Sequence, residues 1–584
     1  MPGSLASGMR NSTTGSWGVT FVVVVVVASA CGPTRKNGGG DGGDDGGTCV
    51  DGERRCDGNV ATVCSGGSFR ATETCPLECA DGLGCVVCRP GTGTCNGNES
   101  RACASDGSGY IDSTCDPLQG VTCDGATGAC VGACAPQNIG SSYIGCDYFP
   151  TVTGNTAGTQ FDFAVAIANT TPESTAIHIE GGALTAPITL TVDARTVKVQ
   201  TLPWVPALKL CNTPQTDGCI SGTMEPAALA AKGAYRLRST RPVTVYQFNA
   251  LQYEKNSAYS YSNDASLLLP TNVWRNEYYA ASWQHLSGIN PSLLAVTAWK
   301  DGTMVTINAR ASTPAANGAP AFTAGVPQTV MLNAGDVLEI TTRDGDLTGS
   351  HVRSTLPVQV VSGHYCANVP NGISACDHLE ESMFSVDALG RRYVINAPAM
   401  PTLPDGKVET IRIIATAPDT TLSYDPPQPG APTRIANAGD FVEISGSVAS
   451  FLLTADQKVL VAQYMSGQSA GGGAGDPDMA LAVPVEQFRT TYAFHAPTNY
   501  QSNHVDITAP MGTALTLDNV PITGLVPIGS SGFGLKRLTL DDGPAGDGSH
   551  SISGDQKFGI TVYGYGQYTS YWYAGGLDLT DIFH

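Results

Sequence analysis

The sequence predicts an all-β protein: tandem β-sandwich-like repeats, preceded by small disulfide-rich modules and a flexible lipoprotein tether. Val, Thr, Ile, Tyr and Phe recur in short alternating runs, separated by many of the 69 Gly and 36 Pro, and long helical periodicities are few. Strand signatures recur four times beyond Gly140. The 19 cysteines divide into Cys31 alone, fourteen from Cys49 to Cys146, and four further on. Without Cys31 eighteen remain, an even number, which in an exported chain reads as a disulfide framework. A chain of 584 residues exceeds a single core and divides into domains. Its formal charge of -20 supplies no basic face for phosphates, which excludes nucleic acid as an expected partner.

Residues 1–31 read as an export signal: Arg10 gives the positive flank, Val19 to Ala30 the apolar run, and Ala28, Ser29 and Ala30 precede Cys31. The run is shorter than the roughly 20 residues of a membrane span. Its ASA-Cys ending resembles the lipobox of bacterial lipoproteins, which makes Cys31 the expected lipidation site; an ordinary cleaved signal is the alternative. Residues 32–48 (GPTRKNGGGDGGDDGGT) hold nothing that anchors a core and read as a solvated tether. Such a tether holds the following domains off the membrane that the lipid engages.

Residues 49–134 contain a tandem cysteine-rich repeat, in which both copies open with C-x6-C-x7-C. Units this small and polar need covalent staples, and six cysteines leave the pairing open. Zinc on Cys85 and Cys88 is the minority reading, since their pair straddles the repeat boundary. Cys134 and Cys146 are left to pair with each other.

The β-region divides at 135–250, 251–365, 366–467 and 468–584. One marker is a threonine opening a strand: Thr175, Thr303, Thr420 and Thr513. Another is a glycine before a strand, as in AGDVLEI (334–340) and AGDFVEI (438–444), with fainter copies at Gly233 and Gly534. A third is a valine-rich strand entered through Pro or Lys: RPVTVYQF from Arg241, LPVQVVSG from Leu356, QKVLVAQY from Gln457 and QKFGITVY from Gln556. Trp274, Leu389 and Phe488 each stand four residues before a tyrosine. Copies of this length fit sandwiches better than propeller blades. Glu225 to Lys232 reads as a local helical turn.

The stretch Pro357 to Ile395 joins a strand to a loop bounded by Cys366 and Cys376 and crowded with His364, Asn368, Asp377, His378, Glu380 and Glu381. A disulfide there removes the thiols as metal ligands, and the same holds for Cys211 and Cys219. His364, Asn368, Asp377, His378 and Glu380 are the candidate ligand-binding residues; the alternative is a rivet between modules. The segment SGH-x-CA-x-VP…CDHLEE resembles the N-terminal domain family of IgGFc-binding proteins, including its bacterial members, and the likeness extends from about Gly140 to the C-terminus. The family takes its name from an animal mucus protein said to hold immunoglobulin Fc, and the resemblance implies no known ligand for bacterial members. The von Willebrand type D modules of that protein have no counterpart here. Where an aromatic is expected before Gly390, this chain has Leu389.

Gly467-Gln-Ser469-Ala-Gly471 spells GxSxG, but the glycines after it cannot begin the helix of a nucleophile elbow. Asp344, Asp346, Asp541, Asp542 and Asp547 read as turn residues before they read as calcium ligands. The terminal tyrosines (563–573) read as core and sheet residues more readily than as a contact surface. No catalytic residue, metal or cofactor is expected. The sequence is that of a lipid-anchored surface protein for binding or adhesion, with the membrane and an extracellular protein or glycan as partners. A surface hydrolase and a passive envelope component are the alternatives.

Overall fold

The computed structural model describes residues 49–214, 224–400, 402–403, 406–470 and 472–582. The expected signal, Cys31, the tether and Cys219 lie outside the described residues. The described chain is almost all β, with short helical turns only.

Both cysteine-rich units carry one bridge pattern, first to third, second to fifth and fourth to sixth cysteine. These are Cys49–Cys64, Cys56–Cys79 and Cys75–Cys85, then Cys88–Cys103, Cys95–Cys123 and Cys115–Cys130. Cys85 and Cys88 therefore belong to different bridges. Each unit has a three-stranded sheet and a two-stranded one around little more than its own sulfurs, so the staples replace an apolar core. The second unit leans on the β-region: Asp116 meets Arg238 Nη1 at 3.0 Å. The Cys134–Cys146 bridge leads the chain into the first strand of that region.

Four units come next, built on one seven-strand pairing scheme, to which unit 4 adds a short strand, Val526–Pro527. Unit 2 shows it most fully: Arg275–Tyr279, Ser292–Ala298, Thr303–Asn308, Gln328–Leu332, Val337–Thr342, a long sixth strand His351–Ala367, and a closing strand Asp377–Ser382. The first half of the long strand pairs with the first and third strands, and its second half pairs with the second and the closing strand. The fourth strand extends one sheet and the fifth the other, so a single strand is shared by both layers of the sandwich. The same scheme holds for unit 1 (first strand Gly145–Tyr148, long strand Tyr235–Phe248, closing strand Ala265–Leu268). It holds for unit 4 as well (first strand Arg489–His495, long strand Ser549–Gly566, closing strand Thr569–Ala574). In unit 3, which opens with Arg392–Ile395 and closes with Met479–Leu481, the long strand is broken into Phe451–Ala455 and Val459–Met465.

The break marks where the strand changes sheets. Pro242, Pro357, Lys458 and Lys557 stand there; proline cannot donate to a ladder and suits a place where pairing lapses. A tyrosine of each first strand clamps the kink. The hydroxyls of Tyr148, Tyr278 and Tyr393 donate to the carbonyls of Val243, Val358 and Val459 at 2.6, 2.9 and 2.5 Å, and Tyr492 donates to Phe558. Each hydroxyl also accepts the backbone N–H three residues before it, from Gly145, Arg275, Gly390 and Arg489.

Glu225–Lys232 departs from its expected helical turn. Ala227–Ala230 is a strand added to the open edge of the fifth strand of unit 2, pairing Ala227 with Ile340 and Ala230 with Val337. A turn of helix is too short for alanine's propensity to matter, and an unpaired sheet edge offers a full ladder.

The units close into a ring. The closing strand of unit 1 packs beside those of units 2 and 4, and the closing strand of unit 3 beside the same two. Between units 2 and 3, Arg412 Nη1 reaches Ser282 O, Asp346 Oδ2 and Thr348 Oγ1 at 2.6, 2.8 and 2.8 Å, its guanidinium 4.0 Å from the Trp283 ring centre. Between units 3 and 4, Ala399 donates to Tyr563 Oη and accepts from Tyr565 Oη, both at 2.8 Å. The last seam joins unit 4 to unit 1: Tyr246 Oη donates to Gly575 O and Ala493 O at 3.0 and 3.1 Å, and Tyr143 N–H to Leu577 O at 3.1 Å.

Candidate functional site

The ring has a buried polar hub and an exposed pole above it. The hub contains four of the five sequence candidates. His364, Asp377, His378 and Glu380 are wholly buried, while Asn368 is partly exposed on the loop closed by the Cys366–Cys376 bridge. Glu380 projects from the closing strand of unit 2 into unit 1. Its Oε2 accepts from Thr153 Oγ1 at 2.6 Å and Asn249 Nδ2 at 3.0 Å, its Oε1 from Gln247 Nε2 at 2.7 Å and Ser266 Oγ at 3.1 Å. His378 Nε2 stands 3.6 Å away. Burial alone pushes this carboxyl up, but the bonds from His378, Thr153 and Gln247 outweigh it and hold Glu380 below its ordinary value. His364 Nδ1 accepts the N–H of Cys366 at 3.1 Å, and burial next to His378 pulls its imidazole down to about 3. These side chains cannot touch an external ligand in the closed ring. They join units and position the loops over them.

A second buried group joins Asp377 to two aspartates missed from sequence. Asp264, Asp377 and Asp478 stand at or just before the start of the closing strands of units 1, 2 and 3, where unit 4 has Tyr568 and Thr569. All three carboxyls are wholly buried and raised well above their ordinary range by burial, Asp377 further by the charges of Asp476 and Asp264, and Asp478 by those of Asp264 and Asp377. The charge of Asp264 raises Asp478 further, so the two do not ionise together. Asp264 also accepts from the N–H groups of Ala265 and Glu380 at 2.7 and 2.5 Å. Asp476, bonded by Gln468 and Ala375 N–H, is raised to about 6 by burial, and buried Lys407 is lowered to about 8. An aspartate before a short apolar run, in NDASLLLP and PDMALAVP, was the available signal for Asp264 and Asp478. Among the described residues no group of three or more His, Cys, Asp or Glu is arranged to hold a metal ion.

The pole is formed by the four loops that join long to closing strands, 249–264, 368–376, 466–478 and 567–568. They are stitched to each other: Gly467 N–H to Val369 O at 2.9 Å, Ser469 N–H to Ser374 O at 2.8 Å, Tyr568 N–H to Gln468 Oε1 at 2.8 Å, and Gln567 N–H to Tyr253 Oη at 3.1 Å. Ser469 of the GxSxG match lies exposed on a short 3-10 turn in this pole, with Gly471 outside the described residues. That turn is no strand-to-helix elbow. Asp346 binds Arg412, and Asp541 and Asp547 cap Gly543 and Ser549 N–H groups, so the acidic loops do turn chemistry. The terminal aromatics Tyr563, Tyr565, Tyr571, Trp572 and Tyr573 are core. Cys211 is disulfide-bonded.

A family model described as IgGFc binding protein matches residues 264–564. The chain belongs to the IgGFc-binding protein family. The match begins at Asp264, at the threshold of the first closing strand, and runs into the last long strand. The human IgGFc-binding protein is 26% identical over 253 residues, which is 43% of this chain and 4% of that protein. This is a binding family by name, and the fold it takes here is a ring of sandwiches whose loops meet at one end. Among the described residues no helix is long and apolar enough to cross a membrane.

Proposed function

We propose that this IgGFc-binding family chain is an exported surface protein, lipid-anchored through Cys31, that binds an extracellular protein or glycan with the pole of its ring. Residues 32–48 act as tether, 49–134 as a stapled stalk, and the four β-modules as the binding head. What supports the reading is the convergence of four loops on one rigid pole, each module contributing one, as binding loops are presented at one end of other sandwich domains. Anchoring is tested by feeding cells a palmitate analogue and fractionating envelopes. Label on the wild-type chain, and its loss with release from the envelope in Cys31→Ser, is the expected result; an unlabelled wild-type chain rejects the anchor. Binding is tested by presenting immobilised full-length chain with glycans and with immunoglobulin Fc.

A further inference from the structure

We infer that Tyr259, Tyr261 and Tyr568 form a stacking platform for a neutral glycan on the pole of the ring. This rests on the binding reading above and names its site and ligand class. The three rings are 37, 40 and 40% exposed in a protein whose other pole aromatics are buried. Tyr259 and Tyr261 stack at 5.6 Å with 24° between planes, and Tyr261 meets Tyr568 edge-on at 6.2 Å and 80°. Buried Tyr253 lies 5.1 Å from Tyr259 and accepts the N–H next to Tyr568, so the cluster spans the seam between units 1 and 4 and exists only in the closed ring.

The backbone supplies an independent sign. Tyr261 and Tyr568 have φ of 47° and 59°, in the left-handed region that bulky residues avoid. Glycine would serve both turns without strain, and glycine is plentiful in the neighbouring loop 466–478. Strain of this kind is kept where the side chain is needed in place.

Size and charge choose the ligand. At 40% exposure three tyrosines offer roughly 200–300 Å² of ring surface, taking about 150–250 Å² per whole side chain. A stable protein interface needs about 800 Å² on each side. The surroundings are amide and hydroxyl, from Gln468, Ser469 and Gln567, with one carboxylate, Glu254, bonded to Tyr259, while the nearby cation Lys255 is paired with Asp162 at 2.7 Å. Ring faces bordered by amides and one carboxylate fit the C–H faces and hydroxyls of one to three neutral pyranoses and repel anionic sugars.

The test uses full-length chain on an array of neutral hexose- and N-acetylhexosamine-terminated oligosaccharides, sialylated and sulfated glycans, and immunoglobulin Fc. Tyr261→Gly and Tyr568→Gly remove the rings while relaxing the backbone, so their melting temperatures should not fall; Tyr261→Phe keeps the ring. Neutral glycans should bind the wild type and Tyr261→Phe, and about tenfold more weakly the glycine variants. Glycan binding unchanged in the glycine variants overturns the site. Fc bound and lost in those variants, with no neutral glycan retained, overturns the ligand class and leaves the binding reading standing. Charged glycans bound in preference overturn the class too, and no ligand of any kind on the wild type overturns both readings.

Discussion

Glu380 carries its charge without water because four side chains of another unit donate to it. Truncation leaves those donors buried and unsatisfied, so Glu380→Ala should destabilise the ring by about 3–5 kcal/mol, read as a fall in urea midpoint. The aspartates obey the opposite electrostatics. A carboxyl raised in the fold keeps its proton where the unfolded chain has lost it, so its contribution is complete below the ordinary carboxylate range and is lost as pH rises through the folded value. Asp478 is such a group, raised first by burial and then by Asp264 and Asp377. The buried histidines work against this trend, since His364, His495 and His504 lie at about 3, 4 and 4 and release protons on folding below 6.5. Comparing Asp478→Asn with the wild type cancels them. The variant should gain on the wild type by roughly 1.4 kcal/mol per pH unit above about pH 4, until the folded value of Asp478 is passed. Calorimetry in a pH series reads the difference, and a difference flat in pH rejects the assignment.

Among the elements, the loop between the long and closing strands of unit 2 depends most on a single bond. Cys366–Cys376 closes a separation of 10 residues, and the loop hands hydrogen bonds on to residues 467–469 of unit 3. Cys366→Ser with Cys376→Ser should lose roughly 2–4 kcal/mol, and hydrogen exchange should show faster amide exchange at both loops while the long strands stay protected. Protection unchanged at Gly467 and Ser469 would contradict the coupling. How far such elements are legible in sequence depends on their exposure. The marker strands at Arg241, Leu356, Gln457 and Gln556 were read from the kink onward, because their valine-rich second halves are buried almost throughout and apolar residues dominate them. Their first halves (RLRST, VRSTL) look like loop, since charged residues line the outer sheet. The closing strands ASLL, DHLEES and MAL are buried on both faces and show no alternation, so the expected module ends at 250, 365 and 467 fall before them. His364, Asp377, His378 and Glu380 looked like surface ligands because single-sandwich logic puts charge outside. Four units around one axis create an inside that no single unit has.

That inside makes the molecule one cooperative body. Independent sandwiches on a string would melt separately, each with its own enthalpy, whereas every unit here contributes its closing strand to a shared centre. Removing one leaves the polar groups of two neighbours without partners, so partly folded rings are strongly disfavoured. Calorimetry of the full chain should therefore show one transition for the β-region, with calorimetric and van't Hoff enthalpies close to equal. The unit 4 to unit 1 seam closes the ring, and there Tyr246 Oη serves two carbonyls from a wholly buried position. Tyr246→Phe keeps the ring and abandons both acceptors. It should split the single transition into an early opening and a later melt, seen by calorimetry as two separate heat-absorption peaks. Several separate transitions already present in the wild type would mean that the four units fold as beads and that their loops share no common pole.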